Sequence, residues 1–440
     1  MADQAPTPAG LVLAPLRAVR YVTGPGESLA PLTTPPYDVI DDAGVLAYEA
    51  ADPHNAVRLI LPRDLTEPDP TLPGVTPGPG SKYARAAATL QRWLADGVLV
   101  RDEQPALYVY EETEGGHTQR GLVGAVAVAD PDAGIILPHE NTMTGPVTDR
   151  LALTEATGAN LEPIFLLYDG GGETSAIVSR TAETPPLIEM TTDDGVAHRL
   201  WAIADAGLLG AIAADLLPRR AVIADGHHRY ATYRRYQADR HAAGAGAGPW
   251  DFGLAFLADA EVSGPAVHAI HRVIAQLRLA EAARLAAHDF TVRPLPVSGD
   301  PSGQGLMDEL AERGRDGHAF VITDGDTAYL LSDPKPGLLA DTLPADRSDA
   351  FRSLDVTVAH LALIAGVWGL DDREDVVDYR HDAASAIAAA REARGTALLL
   401  NPTPAADVAA VAAAGERMPR KSTLFTPKPR TGALLRLLDE

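Results

Sequence analysis

What most constrains the fold of this chain is the segment A-V-I-A-D-G-H-H-R-Y-A-T, Ala221 to Thr232, a short apolar strand running through Asp-Gly into a helix. A glycine at a strand-to-helix turn lets the backbone approach a ligand closely, and the N-H groups and positive dipole end of the following helix favour an anion such as phosphate. His227 and His228 then add two imidazole donors, and Arg229 adds a guanidinium able to hold two phosphate oxygens at once. The plain alternative is an N-capping Asp225 followed by solvated His and Arg side chains.

Composition narrows the chemistry available to such a turn. The chain has 440 residues and no cysteine, which excludes disulfides, thiolate metal sites, iron-sulfur clusters and cysteine nucleophiles. A formal net charge of -23 opposes sequence-independent binding of nucleic acid, whereas a small anionic ligand can still be held by a local cluster of donors. The longest apolar runs, such as Gly121 to Ala129 and Phe252 to Ala258, fall short of the roughly 20 residues of a membrane span. The N-terminus does not resemble a secretory signal, so a cytoplasmic protein is expected, with no membrane partner.

Periodicity predicts an amphipathic helix over Ser81 to Gly97, preceded by an exposed loop, Thr66 to Gly80, with five prolines and three glycines. Ala106 to Glu111 and Gly121 to Ala129 read as a hairpin turned at Glu114-Gly115-Gly116. In the middle, strands over Gly134 to Leu137, Pro163 to Tyr168 and Ala221 to Ala224 alternate with helices over Thr148 to Gly158, Ala202 to Leu217 and His228 to Ala242. The A-A-G-A-G-A-G run, Ala242 to Gly248, reads as an internal linker or loop. Beyond it, strands are expected at Phe252 to Leu257, His318 to Thr323 and Ala397 to Leu400, and helices at Val356 to Ala365, His381 to Ala393 and Pro404 to Ala414. The expected division is an N-terminal α+β section (1–130), a phosphate-binding core (131–242) and a C-terminal α+β section (249–440).

Further candidates lie outside the turn. L-P-H-E-N-T-M-T-G-P-V-T-D-R, Leu137 to Arg150, offers Glu140 as a general base with His139 and Arg150 nearby, or is simply a solvated polar loop. His139 and Glu140 are adjacent on a strand, which points them to opposite faces and makes a shared metal ion unexpected. Asp38 follows Pro35-Pro36, and Arg58 sits on an alternating strand in N-A-V-R-L-I-L-P; each can line a site or be a turn or surface residue. Arg420, Lys421, Lys428 and Arg430 form a local positive patch in an acidic chain, able to close over phosphates or to balance nearby acids.

Between Gly134 and Tyr236 the chain resembles the ParB/sulfiredoxin-like superfamily, through Pro138-His139-Glu140, Pro163-Ile164-Phe165 and the Asp225-to-Arg229 box. Over most of its length it resembles an uncharacterised bacterial family often labelled ParB-like, through P-P-Y-D-V-I, L-P-H-E-x-T, A-D-G-H-H-R-Y-A-T and K-S-T-x-F-x-P-K. The resemblance implies an α/β (α+β) fold built on a nucleotide-binding core. His227 stands where sulfiredoxins need a cysteine, so that chemistry is excluded, and the Ala-Gly run stands where partition proteins continue into a DNA-binding helix-turn-helix, so DNA binding is disfavoured. The superfamily's free serine kinases remain. By that likeness Glu140, with His139 and Asp225, would carry catalysis, and Gly226, His227, His228, Arg229 and Arg150 would hold ATP or ADP, with CTP possible, together with Mg²⁺. Asp38, Arg58, Asn160 and Lys421 complete the set as substrate contacts, and no resident metal site is expected. The expected activity is transfer of a nucleotide phosphate to the hydroxyl of a small molecule, with free L-serine giving O-phospho-L-serine. A nucleotide-binding regulatory module and a metal-dependent hydrolase using Asp225, His227 and His228 are the alternatives.

Overall fold

In the computed structural model, residues 7–22, 28–72, 74–297, 301–371, 373 and 375–439 are described. The chain is a mixed α/β protein forming two compact units, residues 1–265 with 427–440, and residues 266–426. This grouping differs from the three expected sections: the first two, and the start of the third, share one sheet.

That sheet has nine strands: β1 (Leu13–Ala14), β2 (Leu107–Glu114), β3 (His117–Ala127), β4 (Ile136–Leu137), β5 (Ile164–Tyr168), β6 (Ile188–Thr191), β7 (Ala197–Ile203), β8 (Ala221–Asp225) and β9 (Phe252–Asp259). Their order is β4-β8-β5-β9-β3-β2-β7-β6, with β1 pairing β3. Strands β5 and β9 lie inside the sheet and are buried along almost their whole length, which is why both read as unbroken apolar runs. The β2–β3 hairpin turns at Gly115-Gly116, both with positive φ. The Ala242–Gly248 run is a short connection into β9, closed by Ala245 N–H donating to Arg240 O (3.1 Å), and separates no units.

Helices α1 (Asp42–Ala51), α2 (Val57–Ile60), α3 (Ser81–Ala95), α4 (Thr144–Thr157), α5 (Gly172–Ala182), α6 (Ala206–Leu216) and α7 (His227–Ala242) complete the first unit. The strand expected around Arg58 is the single helical turn α2. Val57, Leu59 and Ile60 are all buried there, a pattern of period 3–4, and Asn55 starts the turn by accepting the Val57 N–H (2.9 Å). Thr66–Gly80 carries no strand or helix among its described residues; Pro73 lies outside them, as do residues 1–6 at the N-terminus.

Two tyrosines dock α7. Tyr230 and Tyr233 lie three residues apart on its buried face, and their hydroxyls donate to Ala129 O (2.8 Å) and to Glu162 O (3.1 Å) and Leu254 O (3.2 Å). Gly253 lets the Tyr233 ring lie against β9, since a Cβ there would come within 2.1 Å of the ring.

Beneath the hairpin runs a buried polar network. Gln119 Nε2 donates to Glu112 Oε2 (2.7 Å) and Pro427 O (3.1 Å), the Tyr110 hydroxyl donates to Glu112 Oε1 (3.3 Å), and His198 Nδ1 lies 2.9 Å from that hydroxyl. Burial pushes the Glu112 carboxyl up to about 8 against these hydrogen bonds, and burial with nearby Arg430 pushes His198 down to about 4. Between its unfolded value near 4.5 and about 8, the raised Glu112 carboxyl is protonated in the fold and ionised in the unfolded chain. Its contribution is therefore full below the unfolded value near 4.5 and is lost as pH rises through about 8. The lowered His198 contributes above about 6.5 and loses that contribution as pH falls through about 4. Glu112→Gln should accordingly flatten the alkaline decline, by on the order of a few kcal/mol between pH 5 and 8, in urea unfolding at a series of pH values. An unchanged slope would contradict a neutral Glu112.

The second unit holds a six-stranded antiparallel sheet of β10 (His271–Ile274), β11 (Thr291–Leu295), β12 (Ala319–Thr323), β13 (Ala328–Ser332), β14 (Asp378–Arg380) and β15 (Thr396–Leu399), in the order β11-β13-β12-β15-β10-β14. Helices Gln304–Gly314 and Ala383–Ala393 supply Leu306, Leu310, Ile387 and Ala390 to its core. The helix expected over Val356 to Ala365 is mostly π-helix, Val358–Val367, within which His360 accepts from Arg272 Nε (3.0 Å).

No helix among the described residues is long and apolar enough to cross a membrane.

Candidate functional site

Strand β8 ends irregularly. Its register against β5 runs Val222↔Leu167 and Ile223↔Leu166, then jumps to Asp225↔Phe165. Such a bulge ends regular pairing and re-aims the residue that follows, here Asp225. Gly226 comes next with φ 90° and caps α7; a Cβ there would meet Ile164 Cα at 3.2 Å, so conformation and space both call for glycine.

The Asp225 carboxylate divides its oxygens between two cations. Oδ2 accepts from Arg229 Nη2 and Oδ1 from Lys428 Nζ, each at 2.5 Å. Lys428 also lies 3.7 Å from Asp38 Oδ2. Burial works against its charge, but Asp225 and Asp38 outweigh that and raise its pKa. Arg229 is raised in the same way: burial opposes its charge, and Asp225, Glu162 and Asp38 favour it. The Arg229 guanidinium, expected to face phosphate, is turned inward, with Nη1 donating to Pro163 O (2.5 Å). Buried among acceptors within the fold, it shapes the turn.

The imidazoles accept hydrogen bonds from the loop after β4. His227 Nε2 accepts the His139 N–H (3.3 Å), and His228 Nε2 accepts the Met143 N–H (3.0 Å). Met143 is the N-cap of α4, so the second bond ties the N-termini of α4 and α7 together. His139 is fully buried, its ring edge-on to His227 at 4.6 Å between centroids, whereas Glu140 is partly exposed; both lie in the loop after β4 and not on the strand expected for them. His228→Ala should loosen the 139–143 loop at a cost of about 1 kcal/mol, the scale of one hydrogen bond; unchanged hydrogen exchange across that loop would contradict this.

Arg150, Asn160 and Arg229 meet around a cavity of about 30 Å³ together with Glu162. Asn160 is engaged structurally, its Oδ1 accepting from Leu254 N and Arg436 Nη1, both at 3.1 Å. Arg150 donates to Asp149 Oδ2 and Ile60 O (both 2.6 Å) and lies 4.4 Å from the centre of the Tyr37 ring. Glu162 is buried 3.8 Å from Arg150 and accepts from Tyr37 N–H (2.9 Å) and the Thr431 hydroxyl (3.1 Å). Burial raises its pKa against the pull of Arg229 and Arg150. Asp38, on the short helical turn Tyr37–Val39, keeps 38% of its side chain exposed. Arg58 is drawn to Glu49, donating to its carbonyl (2.6 Å). Lys421 belongs to the second unit, where its carbonyl accepts from Arg272 Nη2 (2.9 Å).

Glu162 and Tyr37 are members of the cluster not proposed from sequence. Lys428 lay within the basic patch, but nothing local separates it from Lys421; only the fold brings it to a carboxylate 203 positions away. Among the described residues, no three His, Asp or Glu side chains gather as a metal-binding group.

The fold and site thus define a mixed α/β protein with a strand-glycine-helix turn flanked by a second helix N-terminus and a partly buried lysine. The chain belongs to the family described as protein of unknown function (DUF1015), whose model matches residues 13–357. No curated protein matches it. Among solved structures, a free serine kinase variant in complex with ADP is similar at 13% identity and TM-score 0.34, over 67% of this chain and 84% of that one. A conserved hypothetical protein from Pyrococcus furiosus is similar at 12% identity and TM-score 0.33, over 68% and 90%. C-terminally truncated SbnI from Staphylococcus aureus is similar at 12% identity and TM-score 0.30, over 70% and 84%. Overlaps this loose leave function to be argued from the site.

Proposed function

We propose that this protein is a nucleotide-dependent phosphotransferase acting on the hydroxyl of a small molecule, with free L-serine, named by the sequence resemblance, as the first acceptor to assay. The observation that carries this reading is the His228–Met143 hydrogen bond, which brings two helix N-termini together beside the Asp225–Lys428 ion pair. Such a place suits the charged oxygens of ATP, ADP or CTP, because oriented N–H groups and a partly buried ammonium stabilise negative charge without reorganising.

In the proposed reaction Glu140 accepts the proton of the acceptor hydroxyl, whose oxygen forms a bond to the terminal phosphorus. The bond from that phosphorus to the bridging oxygen breaks, and its electron pair leaves with the shortened nucleotide. Lys428 and the α4 and α7 termini would offset charge on the transferring group, while His139 and His227 hold Glu140 in place through the loop. Mg²⁺ takes most of its ligands from phosphates and water with one or two carboxylates, and the exposed Asp38 beside Lys428 suits that part. When bound, it would neutralise phosphate charge.

The metal-hydrolase alternative is not favoured by the same geometry: both Asp225 oxygens are ion-paired, and the His227 and His228 Nε2 atoms accept main-chain N–H groups. Incubation with L-serine, Mg²⁺ and each nucleotide, followed by ³¹P NMR, tests the proposal. O-phospho-L-serine supports it. Nucleotide binding without transfer to serine favours a regulatory module.

A further inference from the structure

Across three neighbouring strands of the first unit's sheet, Gln119, Glu112 and His198 stand directly opposite one another, since Glu112 pairs with Gln119 on β3 and with His198 on β7. Residues in such a row share one face of the sheet. None of the three is more than 3% exposed. Tyr110, two positions before Glu112 on β2, lies on the same face.

The segment that carries Lys428 is fastened to this row on both sides of the lysine. Gln119 Nε2 donates to Glu112 Oε2 (2.7 Å) and to the Pro427 carbonyl (3.1 Å). The Tyr110 hydroxyl donates to Glu112 Oε1 (3.3 Å) and accepts the Arg430 N–H (3.2 Å). Each oxygen of one carboxyl group therefore holds one of the two side chains that grip the chain at 427 and 430. Between those grips Lys428 Nζ reaches Asp225 Oδ1 at 2.5 Å.

Burial, with Glu114 on the same strand adding to it, raises the Glu112 carboxyl to about 8 against Gln119, Tyr110 and Arg430. His198 Nδ1 lies 3.5 Å from Glu112 Oε1, and burial with Arg430 lowers His198 to about 4 against the pull of Asp194. Burial opposes the charge of Asp194, but the Thr192 hydroxyl and Arg430 outweigh it and hold that carboxyl below its ordinary value. Burial raises Tyr110 well above its ordinary value. Between roughly 6.5 and 8, then, Glu112 titrates while His198 and Tyr110 stay neutral and Asp194 stays charged. An ionised Glu112 accepts hydrogen bonds more strongly, but it is a buried charge, and opening the segment to water relieves that cost. The raised carboxyl favours the seated segment fully below 4.5 and loses that contribution as pH rises through about 8. The lowered His198 gains its contribution between about 4 and 6.5 and offsets the loss there, so the net decline falls between roughly 6.5 and 8.

We propose that Glu112 is a positioning residue for Lys428: its protonated carboxyl, through Gln119 and Tyr110, seats residues 427–430 on the sheet, and loss of that proton favours opening of the segment. The seating stands on contacts within the first unit alone, whereas its bearing on nucleotide rests on the phosphotransfer reading of Lys428.

The test is hydrogen exchange read by mass spectrometry on the full chain and on Glu112→Gln between about pH 6 and 9. Corrected for the intrinsic rate, exchange at Arg430 and Thr431 should speed up about tenfold between about pH 6.5 and 8 and then level off. Acylation of Lys428 by an N-hydroxysuccinimide ester, scored against the exposed Lys421, should rise in parallel. Glu112→Gln, neutral at every pH, should hold both rates at the level of the natural chain at low pH. Exchange that stays flat in the natural chain, a rise shared equally by α6, or a rise that persists in Glu112→Gln would overturn the proposal. If the variant does not fold, the natural chain with α6 as reference decides alone. Saturating ATP with Mg²⁺ should slow exchange of the segment; if the pH dependence holds without such slowing, the nucleotide reading of Lys428 fails and its positioning by Glu112 stands.

Discussion

Asp225→Ala should lower the unfolding free energy of the first unit by about 3–5 kcal/mol, because it removes one partner from a buried ion network and strands two cations. Arg229 keeps only 5% of its side chain exposed and Lys428 only 16%. Arg229 would retain its bond to the Pro163 carbonyl but lose its nearest negative charge, and Lys428 would be left with Asp38 at 3.7 Å. Asp225→Asn keeps the shape and one acceptor while losing the charge, so it should lose a comparable amount if charge pairing dominates and much less if shape does. Urea titration followed by tryptophan fluorescence reads both. A loss below about 1 kcal/mol for alanine would place Asp225 among ordinary surface salt bridges.

The second large effect concerns Glu140. Glu140→Gln keeps size and polarity but cannot take a proton, so transfer should fall about 10²–10⁴-fold, the usual share of a general base. Nucleotide affinity should stay within about twofold, because Glu140 contributes no positive charge to the phosphates. Single-turnover assays alongside calorimetry distinguish this from a structural effect, which would move both quantities. Full transfer activity in the glutamine variant would show that the base lies elsewhere.

Much of the site was legible because it is local. The apolar strand, the positive-φ glycine and the helix of Ala221 to Ala242 are all written in adjacent residues, as are the α3 helix and the glycine-turned hairpin. Burial was harder to read than position. Arg229 has the charge to hold phosphate, yet Asp225 one helical turn away and the Pro163 carbonyl claim its donors. V-R-L-I suggested alternation, but four residues are too few to separate period two from a helical turn when three of them are buried. The Ala-Gly run suggested a linker by composition, whereas unit boundaries follow strand pairing: β9 pairs β5 on one side and β3 on the other, binding both sides of that run into one sheet. The pairing of Lys428 with Asp225 was hidden for the most general reason, since an ion pair spanning 203 positions leaves no local periodicity.

We propose that nucleotide phosphates bind where Lys428 meets Asp225. Calorimetric titration of Mg²⁺ with ATP, ADP and CTP into the natural chain and into Lys428→Met addresses it directly. Loss of one charge-assisted contact should weaken the preferred nucleotide about 10- to 100-fold. Equal affinity in a folded Lys428→Met protein, or no binding of any of the three nucleotides to the natural chain, would contradict it.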